Sequence, residues 1–190
     1  MQQINFKDRP LSWSAISAFG YNPEQWYSKY ILKEPPADNL AMQFGKKFAK
    51  SVEDRKPLVP VEIYSEVEYK LSTKFNGIPL IGFVDTYEPH TKMREYKTAR
   101  TLWTQQKCND HGQLKMYALM LYIIHKVKPE DLTIHLDCIQ TKEDENFKID
   151  FFDSKVHSFE VKLTMTDILL FGSHIMKTVD MMGKYVENHD

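Results

Sequence analysis

Apolar positions recur at two different periods along this chain, and the places where the period changes mark out its elements. Over the first third the spacing is helical. Ser12 or Ser14 is a cap for a short helix over Trp13–Phe19. Asn22-Pro23-Glu24 supplies a cap, a first-turn proline and an acidic first turn for a second helix over Glu24–Ile31, which Pro35-Pro36 closes. Leu40, Phe44, Phe48 and Val52 fall four apart and predict a third helix over Leu40–Asp54, with Lys46, Lys47 and Lys50 on its other sides.

From Glu62 the period drops to two. Glu62, Tyr64, Glu66, Glu68 and Lys70 interleave with Ile63, Val67 and Leu71, as on a half-buried strand over Glu62–Leu71. Asn76-Gly77 is a two-residue hairpin turn, followed by a strand over Ile78–Tyr87, a turn at Pro89-His90-Thr91 and a strand over Met93–Thr98. The result is a three-strand antiparallel meander. A helix over Asp110–His125 closes at Pro129, strands follow at Leu132–Thr141 and Phe147–Phe152 around the polar turn Lys142–Asn146, and Thr166 caps a last helix to Val186. Without repeats or linkers this predicts one α/β domain, residues 1–55 being N-terminal helices and residues 56–190 the sheet-bearing core and last helix.

The two turns place acids together. A turn centred on His90 sets Asp85 opposite Glu95, with Cβ atoms ~5 Å apart. The Asn76-Gly77 turn sets Glu68 opposite Asp85, in a register that a one-residue slip would destroy. Like charges placed opposite one another are destabilising unless compensated, and Mg²⁺ suits one or two carboxylates completed by water and phosphate oxygens. Lys97 shares the face of Glu95 by strand alternation. An acid two before a lysine also occurs at Asp54, Glu68, Asp153 and Glu160, and Asp150 precedes Glu160 by the interval that separates Asp85 from Glu95. Spacing alone therefore leaves a second candidate set, Asp150, Glu160 and Lys162.

Composition narrows the classes. The 190 residues are 42% hydrophobic and 27% charged, with a net charge of −1, which excludes a protein that coats nucleic acid by bulk charge. That neutrality is an average: residues 91–130 carry 8 basic and 3 acidic side chains, and residues 131–190 carry 6 and 12. The positive segment holds Glu95, Lys97, Arg100, Lys107 and Lys115, where a phosphate backbone could lie. Cys108 and Cys138 are too few for a disulfide framework or a cysteine-held metal cluster, and seven histidines without HxxxH or HExxH spacing disfavour a histidine zinc site. The N-terminal residues lack the apolar run of a signal peptide and no window has the length of a membrane span, so an intracellular protein is expected. Trp13 and Trp26 read as core; Trp103 reads either as packing or as a platform for a base. Met165, Met176, Met181 and Met182 on the last helix read as core or an oligomer seam.

Gly82-Phe83-Val84-Asp85 and Arg94-Glu95-Tyr96-Lys97-Thr98 resemble the GhhD and (D/E)hKT motifs of PD-(D/E)XK nucleases. Gln113-Leu114-Lys115-Met116-Tyr117 is similar to the QxxxY motif of their RecB-type branch, which includes CRISPR-associated and lambda-exonuclease-like relatives. Leu11-Ser12-Trp13-Ser14 through Asn22-Pro23 resembles that branch's N-terminal helical segment, and Gly45 to Glu53 its G…E spacing. The motifs run in the branch's order over residues 11–125, and Asp150 and Glu160 have no such helix after them.

The resemblance implies a restriction-endonuclease-like fold, with a central mixed sheet flanked by helices. It also implies a metal-dependent deoxyribonuclease, an exonuclease of recombination, repair or phage DNA processing. Asp85 and Glu95 would hold Mg²⁺ or Mn²⁺ with the Tyr96 carbonyl and Glu53, directly or through water; Glu68 joins them by register. Lys97 would orient the attacking water or stabilise the developing anion. Gln113 and Tyr117, one helical turn apart, would face the lysine and the DNA, with Thr98, Arg100, Trp103 and Lys115 as further DNA contacts. Two departures stand out. Ala49 occupies the position where the branch often has a metal-binding histidine, which leaves open a weak enzyme or a non-catalytic nucleic-acid-binding or adaptor module. Asn22 stands where cluster-bearing relatives have cysteine, and no cysteine lies near the C-terminus, so no iron–sulfur cluster is expected. The implied partner is DNA, as single- or double-stranded ends, with a second copy or a recombination or repair protein open. The implied location is the cytoplasm, or a host cell if the chain is phage-encoded, with no membrane.

Overall fold

The computed structural model describes residues 9–35, 40–54, 65–143 and 148–189. Local chemistry sets the N-terminal helices. The Ser12 side chain accepts the Ala15 N–H and opens α1 (Trp13–Tyr21). Asn22 then ends α1 through its backbone N–H and starts α2 (Pro23–Tyr30) by accepting the Gln25 N–H at 3.0 Å. The third helix, α3 (Leu40–Glu53), buries Phe48 and Val52 as its spacing predicts, while Leu40 stays exposed.

One mixed sheet of five strands follows in the order β1 (Glu66–Phe75), β2 (Ile78–Glu88), β3 (Lys92–Ala99), β4 (Thr133–Glu143) and β5 (Ile149–Val161). β3 and β4 are parallel and the other neighbours antiparallel, so the expected meander is the first half of the sheet. Both turns set the expected register: Leu71 faces Gly82 and Phe75 faces Ile78 across the first, and Thr86 faces Arg94 across the second. Asn76 and His90 take the left-handed conformation that such tight turns require, with φ of 46° and 64°. The parallel step needs a crossover, carried by α4 (Gln105–Asn109) and α5 (Gly112–His125). A last helix, α6 (Met165–Glu187), packs beside α5. No described helix is long and apolar enough to cross a membrane.

Several boundaries differ from expectation for identifiable reasons. Residues 62–64 lie outside the described residues, and β1 begins at Glu66. The helix expected over Asp110–His125 is α5, which starts two residues later at Gly112, and the short α4, capped by Thr104 and ended at Asp110, precedes it where no helix was expected. The cap of α6 is Thr164, not Thr166, in a reciprocal capping box with Asp167. β5 runs nine residues beyond Phe152 to Val161 because, after a register shift between Thr141 and Ile139, it pairs with β4 again from Val156, Leu136 facing Phe159 and Ile134 facing Val161. Lys142 and Glu143 extend β4, and the rest of the polar turn lies outside the described residues.

The sheet is covered on both faces. Leu71, Leu80, Met93, Leu136 and Cys138 share the main core with α1, α5 and α6, whereas Tyr96 and Ile139 form a smaller cluster with Phe48 and Val52 of α3. Each large fully buried side chain of this kind contributes ~1.5–3 kcal/mol relative to exposure. β1 and β2 do not keep one face throughout. Tyr69 packs into the main core and Val67 into the α3 cluster, although two residues apart on a regular strand share a face. Likewise Val84 and Tyr87 both reach the main core although three residues apart. The switch falls at Glu68, which has φ of 51°, and at Asp85 opposite it; neither belongs to the ladder of paired residues.

Candidate active site

Asp85 and Glu95 stand immediately beyond Thr86 and Arg94, the last paired residues of β2 and β3. Here the strands part, and the Asp85 Oδ2 accepts the Tyr96 N–H at 2.7 Å in place of a backbone carbonyl. The face switch at Glu68 and Asp85 thus opens the sheet where the two acids meet.

Glu95 is 2% exposed. Its Oε1 accepts from Lys97 Nζ at 2.7 Å and from Gln113 Nε2 at 2.6 Å. Its Oε2 is buried and has no hydrogen-bond partner among the described residues. A buried carboxylate oxygen left bare is costly unless a ligand completes it. Burial pushes the Asp85 carboxyl well above its ordinary range, and the Glu95 charge adds to this; Lys97 and the Tyr96 N–H offset it only in part. Burial opposes the charge on Lys97, but Glu95 and Asp85 outweigh it and hold the ammonium protonated above its usual value. Glu68 is raised by burial first, then by Glu95 and Glu53. Glu68 and Asp85 therefore each feel the Glu95 charge, and Lys97 offsets that of Glu95 and Asp85.

A polar chain from α5 supports Glu95. Gln113 Nε2 also donates to Tyr117 Oη at 2.8 Å, and Tyr117 Oη donates to the Phe83 carbonyl at 2.7 Å. Burial, then the Glu95 charge, pushes the Tyr117 phenol far above its ordinary range, so it keeps its proton. The Tyr117 ring lies over Gly82, where a Cβ would clash. On the far side Gln113 Oε1 is 3.3 Å from Nε2 of His111. Neither spacing nor composition marks His111; its place just ahead of the helix that carries Gln113 was the available signal.

A cavity of about 260 Å³ opens onto this group. Gly45, Phe48, Ala49 and Val52 of α3 form one wall, and Asp85, Glu95, Lys97 and Thr98 the other. Ala49 therefore faces the acids across open space. Among the described residues no three His, Cys, Asp or Glu side chains gather closely enough to form a metal cluster by themselves. The side-chain donors at the cavity are two carboxylates, oxygen ligands that suit Mg²⁺ or Mn²⁺ better than zinc. The bare Glu95 Oε2 fits such an ion.

The other candidate residues are dispersed. Glu53 ends α3 with its carboxylate exposed and paired with Lys50 at 3.1 Å. Thr98 lines the cavity, and Arg100 is 83% exposed beside Glu143. Trp103 is partly buried and carries Lys107 Nζ 4.2 Å above its ring, while its edge meets His111. Lys115 lies near Asp167, whose carboxyl is held low by its bonds to Thr164 with help from that lysine. Asp150 and Glu160 lie on the same strand opposite Lys142 and His135 of β4, a separation of about 23 Å at ~3.3 Å per residue, so the second candidate set does not converge.

No family model matches the chain, and no curated protein matches it in sequence. Its fold is similar to that of a solved structure from Eubacterium rectale named "putative exonuclease", with a TM-score of 0.61 over 97% of this chain and 86% of that one at 10% identity. The solved structure of SSO0001 aligns with 88% of this chain and 70% of that chain at 12% identity, and its TM-score of 0.42 carries no argument.

Proposed function

We propose that this chain is a metal-dependent deoxyribonuclease of the PD-(D/E)XK type that acts as an exonuclease on DNA ends. The observation that carries the reading is the convergence of Asp85, Glu95 and Lys97 on one cavity, with Glu95 Oε2 buried and bare and Asp85 forced toward its neutral form by burial and then by the Glu95 charge. Such a pair is costly without a cation and favourable with one. The fold likeness to the Eubacterium rectale structure agrees with this reading.

Asp85, Glu95 Oε2 and the Tyr96 carbonyl would hold Mg²⁺ or Mn²⁺, with Glu68 and Glu53 as the outlying acids. A cation bound there supplies an acidified water and offsets charge growing on the scissile phosphate. The chain's own part is preorganisation. Gln113 and Lys97 occupy Oε1 and so fix which oxygen of Glu95 is left. The Lys97 ammonium, held protonated and facing the cavity, orients the attacking water and donates to the developing anion. Thr98, Arg100, Trp103 and Lys107 continue from the site along the positive segment and would carry the strand's phosphates and a base. Lys115, turned toward α6, has no such place.

A second reading, a non-catalytic DNA-binding module on the same fold, is favoured by one observation: Ala49 occupies the wall opposite the acids and offers no ligand. End-labelled linear single- and double-stranded DNA, incubated with Mg²⁺, Mn²⁺ or EDTA beside Lys97→Ala, separates the two. Metal-dependent cleavage that the variant loses supports the nuclease. Binding without cleavage under either metal sinks it in favour of the module.

A further inference from the structure

We propose that His111 is a positioning residue of this site, locking the Gln113 side-chain amide so that its two N–H groups serve Glu95 and Tyr117. The Phe83 carbonyl can only accept, so the Tyr117 hydroxyl spends its single hydrogen there. Tyr117 Oη must then accept from Gln113, and the Glu95 oxygen beside it also accepts. Both contacts require the amide nitrogen, which leaves Gln113 Oε1 facing away, 3.3 Å from His111 Nε2. An amide oxygen needs a donor, so Nε2 carries the ring's hydrogen. If Gln113 flipped, its oxygen would face a carboxylate and a hydroxyl with no hydrogen to give.

The surroundings of His111 point the same way. Burial first, then Lys97, draw the imidazole down to about 4, so at neutral pH it is uncharged and has one N–H to place. Trp103 and Trp13 meet the ring edge-on at 5.0 and 5.7 Å and hold its plane. His111 is also the N-cap residue of α5 and makes no side-chain cap bond. Ser, Thr, Asp or Asn would serve the helix better by ~1 kcal/mol. The helix thus gives up its cap while the imidazole reaches Gln113. The consequence lies at Glu95: with Oε1 occupied by Lys97 and Gln113, Oε2 is the oxygen left for a ligand.

The effect on cleavage rests on the nuclease reading; the positioning itself does not. The ¹⁵N–¹H resonances of the Gln113 side-chain amide, assigned by their loss in Gln113→Met, test it in metal-free protein. In the native chain the two amide protons should be displaced from the positions of exposed glutamines. His111→Phe, which keeps an aromatic ring but no donor, should move them toward those positions, and His111→Gln, which keeps a donor, should restore the displacement. Should the phenyl ring prevent folding, His111→Met gives the same readout. An unmoved Gln113 pair in a folded variant without the donor overturns the proposal. In the cleavage assay His111→Phe should lower kcat ~10–100-fold with KM for DNA unchanged, and His111→Gln should recover most of it. Full kcat in His111→Phe overturns the catalytic consequence. A native chain whose amide shift is lost in His111→Phe but which cleaves no DNA overturns the nuclease reading and supports the positioning.

Discussion

A Cβ on Gly82 would stand 2.5 Å from Cε1 of Tyr117. The missing side chain is therefore a packing requirement: it lets an aromatic ring from the crossover helix lie directly on β2 and bring its hydroxyl to the Phe83 carbonyl. Gly82 and Tyr117 are in contact, and each explains the other.

Gly82→Ala should force the Tyr117 ring away and disrupt the chain from Phe83 to Glu95. Overpacking of this kind costs ~1–3 kcal/mol, readable by urea unfolding. Cleavage should fall ~10–100-fold. An alanine variant with native stability and activity would refute this account of the glycine.

Asp85 carries a stability cost in the metal-free protein. Its ordinary carboxyl value is 3.8 and burial beside Glu95 raises it well above that in the folded state. As pH climbs from about 4 through the raised folded value, the unfolded chain gives up its proton first and stability falls. Asp85→Asn keeps an acceptor for the Tyr96 N–H but has no charge to bury. It should therefore melt higher than the native chain at pH 7 without metal, and the gap should close toward pH 4. Each ~1 kcal/mol is worth about 2–4 °C in a chain of this size. Mg²⁺ or Mn²⁺ should raise the melting temperature of the native chain and not that of the variant.

Lys97 donates to Glu95 at 2.7 Å and faces the cavity. Lys97→Met should cost about 1.5–3 kcal/mol of stability through the lost charged hydrogen bond. Its effect on cleavage should be larger, at least ~10²-fold. A variant that is destabilised yet fully active would confine the lysine to a structural part.

On the α3 face of the sheet, Arg94 and Asp137 form an ion pair across β3 and β4, and Asp137 is almost wholly buried. Asp137→Ala removes that partner and should cost ~3–5 kcal/mol. Arg94→Met with Asp137→Leu should recover most or all of that stability, because neither residue then carries a charge into the interior. Chemical denaturation of the three variants measures both.

Much of the site was legible in the sequence because its register is local. Asn76-Gly77 and His90 each fix a tight turn, and the turns fix the register up to Thr86 and Arg94, one residue short of Asp85 and Glu95, and on either side of Glu68 and Asp85, which are themselves unpaired. The third helix was legible for the same reason, since Phe48 and Val52 follow a period that three turns of backbone impose. Contacts between elements distant in the chain were decided elsewhere. The crossover of α5 onto the sheet sets Tyr117 on Gly82 and aims Gln113 at Glu95, and the packing of α3 closes the cavity wall with Ala49. The face switch at Glu68 and Asp85 depends on two separate layers claiming neighbouring residues of one strand. His111 acquires its place only from Trp13, Trp103 and Gln113 around it. Periodicity and turn chemistry act over a few residues and can be read along the chain; the hydrogen-bond order around Glu95 joins β2, β3 and α5, and only their packing brings them together.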